Sequence, residues 1–282
     1  MLFKKFDIRL IVTDLDGTLL ANDGSVPREN VEMIEMAKAS GIQVVICTGR
    51  PLRSMQYLLD ALNFTDKNDL VCTYNGGLIQ YALSGEVLHQ ETLSISDAKE
   101  MENMASGLNL PLCLVDLDAI YELPYPENAP SVYQLNRRYN PQDDGGLKFR
   151  SIQLEQMPAD WAINKMVIAR PKNELDAATP NIPKKYFEKY NIFKTQPDFL
   201  EIVSKKANKG YAIKYLQEHL NLKPSQIMGI GDQENDISLI EAAGFGVAMG
   251  NAIAPAKEVA QFVTKTNEEA GFAYAVQKIL SE

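Results

Sequence analysis

Six short apolar runs constrain how this chain can fold: Leu10 to Thr13, Gln43 to Thr48, Leu70 to Tyr74, Gln226 to Ile230, Gly246 to Met249 and Phe262 to Thr264. They are mostly apolar without alternation, as strands buried on both faces of a parallel sheet are. Between them lie stretches with helical spacing. Met55, Leu58, Leu59 and Leu62 form one; Ala212, Ile213, Leu216 and Leu220 form another; Phe272, Val276, Ile279 and Leu280 close the chain. Strands alternating with amphipathic helices predict right-handed crossovers and an open, Rossmann-like α/β sheet.

The middle of the chain breaks that rhythm. Leu78 to Tyr81, a Ser84-Gly85 turn and Val87 to Gln90 read as a hairpin, and most of the prolines follow. A length of 282 residues suits two domains at roughly 150 residues each. We therefore expect a core from residues 1–83 and 200–282, interrupted by a second α/β domain over 84–199. Net charge is −9, which argues against nucleic acid or an anionic membrane as a partner, since both need a basic face. It does not argue against a small anion. The cysteines Cys47, Cys72 and Cys113 show no paired spacing and read as free buried thiols of a reducing compartment. Together with the lack of an apolar stretch of ~20 residues, this places the expected location in the cytoplasm.

The polar residues collect where the strands end. The first strand runs into Asp14-Leu15-Asp16-Gly17-Thr18, the second into Thr48-Gly49-Arg50 and the third into Asn75-Gly76-Gly77. The fourth runs into Gly231-Asp232-Gln233-Glu234-Asn235-Asp236. In open parallel sheets ligands bind beyond these carboxyl ends, so all four clusters are expected to meet there. Carboxylates held close cannot all ionise cheaply without a cation. Their grouping points to an oxygen-ligand site for Mg2+, against the plainer reading of unrelated loop acids. Lys209 follows Asn208, a good N-cap, and opens a helix, where its charge opposes the macrodipole. That position makes sense if lysine and helix end meet an anion together; the alternative is a solvated lysine beside Lys205 and Lys206. Thr48 and Gly49 precede Pro51, which suits a first helical turn, and could cradle a phosphate. Gly229-x-Gly231 and Gly244-x-Gly246 lack the third glycine of a dinucleotide fingerprint, which argues against NAD.

In order along the chain, Asp14 to Leu19, Thr48-Gly49-Arg50, Lys209 and Gly231 to Asp236 resemble the four motifs of haloacid dehalogenase-superfamily phosphatases. Asn75-Gly76-Gly77 and Met249-Gly250-Asn251-Ala252 resemble the Cof-type subfamily, which carries a C2 cap between the second and third motifs and acts mostly on sugar phosphates or similar small phosphometabolites. Where the family usually has Ser-Lys-Gly, this chain has Asn208-Lys209-Gly210, and Asn caps a helix as Ser does.

The resemblance implies a Mg2+-dependent phosphomonoester hydrolase with an aspartyl-phosphate intermediate. Asp14 is the implied nucleophile and Asp16 the general acid and base. Mg2+ would be held by Asp14, the Asp16 backbone carbonyl and Asp232, with Asp236 orienting from behind or exchanging roles with Asp232. Leu15, Thr48, Gly49, Lys209 and Asn235 would bind the phosphoryl group. Arg50, Asn75 and Gly76 are candidate substrate contacts, although Arg50 serves equally well in an ion pair with a structural acid. A dehalogenase would lack the second acid, so Asp16 favours phosphate esters. The same motifs also allow a phosphomutase or a non-catalytic phosphometabolite-binding regulator. Cap residues Tyr121, Tyr125, Tyr133, Arg137, Arg138 and Tyr139 are either sugar and anion contacts or packing, and the oligomeric state is open.

Overall fold

The fold was described from a computed structural model, which describes residues 7–125, 128, 130, 131 and 148–281. The chain divides into two compact units, one formed by the chain up to Gln90 and from Asn208 onward, the other by Glu91–Ala207.

The first unit is built on an eight-stranded sheet. Its strands are β1 (Leu10–Thr13), β2 (Gln43–Cys47), β3 (Leu70–Thr73), β4 (Leu78–Tyr81), β5 (Val87–Gln90), β12 (Ile227–Gly231), β13 (Phe245–Ala248) and β14 (Phe262–Val263). They lie in the order β14-β13-β12-β1-β2-β3-β4-β5. From β14 to β3 every pairing is parallel, with Leu10 level with both Gln43 and Ile227. Strands β4 and β5 continue the sheet antiparallel. β1 and β12 are buried at every position, which explains why the sequence shows runs and no alternation there. The sheet packs on Ile34 and Ala37 of α1 (Arg28–Ala39), Leu58 and Leu59 of α2 (Gln56–Ala61), Ile213 and Leu216 of the helix at Lys209–His219, and Val276 and Ile279 of the helix at Gly271–Ser281.

The second unit carries a six-stranded sheet. Its strands are β6 (Cys113–Val115), β7 (Ala119–Glu122), β8 (Lys148–Ser151), β9 (Lys165–Ala169), β10 (Tyr190–Gln196) and β11 (Phe199–Ser204), in the order β10-β11-β9-β6-β7-β8. One face packs Met166, Ile168, Leu200 and Ile202 against Ala98, Met101 and Ala105 of α3 (Ile95–Gly107). Tyr121 is buried here with its ring edge-on to Trp161, whose indole donates to Asp116 at 3.0 Å. Tyr133, Arg137, Arg138 and Tyr139 lie outside the described residues.

The unit boundaries differ from the expected 84 and 199. The hairpin joins the first sheet because Leu70–Thr73 offers β4 a full antiparallel partner, which in turn carries β5. At the other end, Phe199–Ser204 pairs between β9 and β10, so the first unit resumes at Asn208 and not at 200. Among the described residues no helix is long and apolar enough to cross a membrane.

Candidate active site

Asp14 leaves β1 as its first residue beyond the ladder, its amide still donating to Ile230 O at 2.9 Å. The carboxylate is turned inward and only 6% exposed. Its partner arrives from 195 residues away in sequence: Lys209 Nζ donates to Asp14 Oδ1 at 2.5 Å and to Asp236 Oδ1 at 2.6 Å. Lys209 is fully buried at the start of its helix, whose N-cap Asn208 accepts from Tyr211 N at 2.8 Å. The anions it meets are thus the protein's own carboxylates. Burial pulls its pKa down, but Asp14 and Asp236 more than offset this and raise it above the ordinary value.

Strand β12 delivers the second pair of acids. Asp236 Oδ2 accepts from the backbone amides of Asp232 and Gln233, both at 3.0 Å, so both its oxygens are engaged. Asp232 Oδ1 accepts from Thr18 Oγ1 at 3.1 Å and its Oδ2 from Gln233 Nε2 at 3.0 Å. Gly17 makes this approach feasible. It sits at φ +78°, and a Cβ there would come within 2.6 Å of Asp232 Oδ2. Burial, then the charge of Asp236, push the Asp232 carboxyl up to about 6. Burial first, then Asp236, raise Asp14 well above the carboxylate range despite Lys209.

Asp14, Asp232 and Asp236 can each offer an oxygen within 4.8 Å of the others. Fully ionised, three carboxylates against one ammonium would carry about two negative charges. The donors are hard oxygens, which suits a divalent cation of the magnesium or calcium kind. The cluster can therefore hold a metal ion, with Asp236 the least free of the three.

Asp16 lies apart from this cluster. Its side chain is 54% exposed and its carboxylate is forked by Arg50, Nε to Oδ2 at 2.9 Å and Nη2 to Oδ1 at 2.5 Å. Arg50, expected at substrate or in an ion pair, is in the ion pair, and with the other acid of the first motif. Thr48 is buried, and its Oγ1 accepts the Arg50 amide at 3.3 Å. The Leu15 side chain is in the core. The helix expected from Pro51 begins as a 3-10 turn, Leu52–Met55, because Pro51 itself stays extended, and becomes α-helical only at Gln56.

Asn75 and Asn235, expected at substrate and phosphate, meet each other: Asn235 Nδ2 donates to Asn75 Oδ1 at 3.0 Å. The backbone at Tyr74, Asn75 and Gly76 takes φ of 51°, 58° and 86° in succession. Two of those residues carry side chains in the left-handed region, at a cost of about 1–2 kcal/mol each. The turn is held by Asn75 N donating to Thr48 O at 2.9 Å and by Gly76 against the Asn208 carbonyl, where a Cβ would lie 2.6 Å away. Gly76 therefore serves close packing of backbone. Three contributors were not singled out from sequence: Thr18, Gln233 and Asn251. Asn251 Nδ2 donates to Gly17 O at 2.9 Å and its Oδ1 accepts from Asn267 N at 3.0 Å. All three stand inside the quoted motifs, which was the available signal.

Buried carboxylates and a lysine gather at the carboxyl end of a parallel α/β sheet, where ligands of such folds bind. The chain belongs to the haloacid dehalogenase-like hydrolases, whose family model matches residues 11–276, and stands on the phosphatase side of that family. "Putative phosphatase YxeH" of Bacillus subtilis is 36% identical over 273 residues, covering 96% of this chain and 98% of its own. The 5-amino-6-(5-phospho-D-ribitylamino)uracil phosphatase YcsE of the same organism is 28% identical, covering 96% and 95%. A haloacid dehalogenase-like hydrolase from Bacteroides thetaiotaomicron has a similar structure, with TM-score 0.79, 28% identity and coverage of 96% and 99%.

Proposed function

We propose that this enzyme hydrolyses phosphomonoesters of small metabolites, sugar phosphates and their relatives, through a phosphorylated Asp14. The observation that carries this reading is the Asp14 carboxylate at the end of β1, one oxygen tied to buried Lys209 and the other left without a hydrogen bond among the described residues. A carboxylate fixed in this way is oriented for in-line attack. The relative named for a phosphorylated ribityl compound supports the substrate class. We read the inserted unit, Glu91–Ala207, as the cap that such enzymes carry.

Asp14 attacks phosphorus while the bond to the leaving oxygen breaks, and the Asp16 carboxyl gives that oxygen its proton. Water then attacks the aspartyl-phosphate, Asp16 takes the water proton, and the Asp14 carboxylate is restored. A divalent cation, Mg2+ in this reading, would be held by Asp14, Asp232 and the Asp16 carbonyl, and supplies positive charge to the phosphoryl oxygens. Lys209 holds Asp14 in its attacking position, and Thr48 with the Gly49 amide can donate to the transferring group. Asp236 orients Lys209 on one side and the backbone at Asp232 and Gln233 on the other.

The test is phosphate release from 4-nitrophenyl phosphate and a panel of sugar phosphates with Mg2+ present. Asp14→Asn should abolish turnover while the protein stays folded. Retained turnover in that variant refutes the covalent route, and product analysis separates hydrolysis from a phosphomutase.

A further inference from the structure

Asp16 needs a defined direction to exchange protons with a leaving oxygen and later with water, yet its side chain stands more than half exposed on a loop. Among the described residues a single group hydrogen-bonds its carboxylate, the Arg50 guanidinium, and it does so with two parallel N–H donors. The two residues stand on adjacent strand ends, Asp16 three residues beyond β1 and Arg50 three beyond β2, so the pair bridges the first and second motifs. Arg50 is itself anchored: its amide donates to Thr48 Oγ1, the extended Pro51 follows it, and its side chain is the less exposed of the pair. The arginine is therefore the fixed member and the aspartate the guided one.

We propose that Arg50 is the positioning residue for Asp16, acting on the proton transfers through that carboxyl and not as a substrate-binding arginine. The proposal rests on the phosphatase reading above. A fork engages one lone pair on each carboxyl oxygen and leaves the outer ones, out of roughly four, for the proton. In the first transfer the fork keeps the carboxyl aimed at the leaving oxygen as the phosphorus–oxygen bond breaks and Asp16 gives up its proton. In the second, the same fork keeps the carboxylate aimed as it accepts the proton of the attacking water. An ammonium at this position could hold one oxygen but not set the plane of the carboxyl.

The leaving group supplies the test. A 4-nitrophenolate departs without a proton, whereas the alkoxide of a hexose 6-phosphate needs one, and kcat/KM reports this first transfer. Arg50→Ala should lower kcat/KM on the alkyl ester by about 10–100-fold, inside the 10²–10⁴ of positioned proton transfer. On the aryl ester the loss should be at least tenfold smaller. Inhibition by inorganic phosphate should stay within about threefold, Arg50→Lys should recover part of the loss, and Arg50→Ala combined with Asp16→Asn should be no slower than Asp16→Asn alone. Should the alanine variant not fold, Arg50→Lys and Arg50→Gln carry the same comparison.

Equal losses on both esters, weakened phosphate inhibition, or losses that multiply in the double variant would each overturn the proposal. Those results leave wild-type turnover intact. A wild-type protein that releases phosphate from neither ester overturns the phosphatase reading and the proposal together.

Discussion

Replacing Lys209 with methionine keeps most of the side-chain volume and removes the cation buried beside Asp14 and Asp236. The ammonium is fully buried and makes contacts of 2.5 and 2.6 Å to two carboxylates. Breaking a buried pair by deleting one partner costs about 3–5 kcal/mol, because the other charge is left unpaired. A domain of this size shifts by about 2–4 °C per kcal/mol, so the melting temperature should fall by roughly 6–20 °C, measured with chelator present so that Lys209 is the only compensating charge. The loss should be partly reversible by chemistry on its partner. In the Lys209→Met background, Asp236→Asn removes a like charge beside Asp14 and should regain at least about 1 kcal/mol; in the wild-type background it breaks a pair and should destabilise. Urea titration by circular dichroism, with calorimetry for the melting temperature, measures all four proteins. The reasoning fails if Lys209→Met melts within 2 °C of wild type, a threshold of about 1 kcal/mol, or if Asp236→Asn has the same effect in both backgrounds.

Protein freed of metal should lose stability as pH rises from about 4 through 6. The Asp232 carboxyl titrates at about 6 when folded against 3.8 ordinarily, so the native state binds more protons than the unfolded one across that window. Asp232 alone should contribute about 3 kcal/mol to the drop at about 1.4 per pH unit, and Asp14, raised in the same direction, adds to it; Mg2+ should raise the melting temperature more at pH 7 than at pH 5, and equal effects would refute the linkage. At Gly17, alanine should destabilise by about 1–2 kcal/mol from the left-handed backbone alone and should weaken Mg2+ binding by displacing Asp232, read by titration calorimetry; an unchanged affinity would count against the packing argument.

The parallel sheet was legible because β1, β2, β3 and β12 are buried so thoroughly that their sequences carry almost nothing polar. The acids were legible because each motif is contiguous and sits immediately beyond such a strand. Local sequence could show that Leu78–Tyr81 and Val87–Gln90 form a hairpin, but not which sheet would accept its edge, and the unit boundary moved for that reason. The links across the site were also hidden. Asn235 to Asn75 spans 160 residues and Thr18 to Asp232 spans 214, and no spacing rule reports contacts made only when separate strands align. Arg50 shows a different limit. Its long side chain could reach phosphate, substrate or acid from one backbone position, and geometry alone selects Asp16.

The charge at the site fixes an order of events that overall charge would not suggest. The chain is −9 in total, and the buried cluster would itself be about two charges negative with all three carboxylates ionised against Lys209. A phosphate dianion approaching that cluster alone meets repulsion in a setting with little water to screen it. Burial pushes the Asp14 and Asp232 carboxyls up, and in the proposed mechanism a protonated Asp14 could not attack. In that mechanism a divalent cation would reverse both effects, neutralising the cluster and favouring an ionised Asp14. Lys209 ties Asp14 to Asp236 through two of its three donors, and one ammonium cannot balance three carboxylates. In the proposed mechanism Lys209 therefore holds the carboxylates in place, and a divalent cation would supply the charge that one ammonium cannot balance.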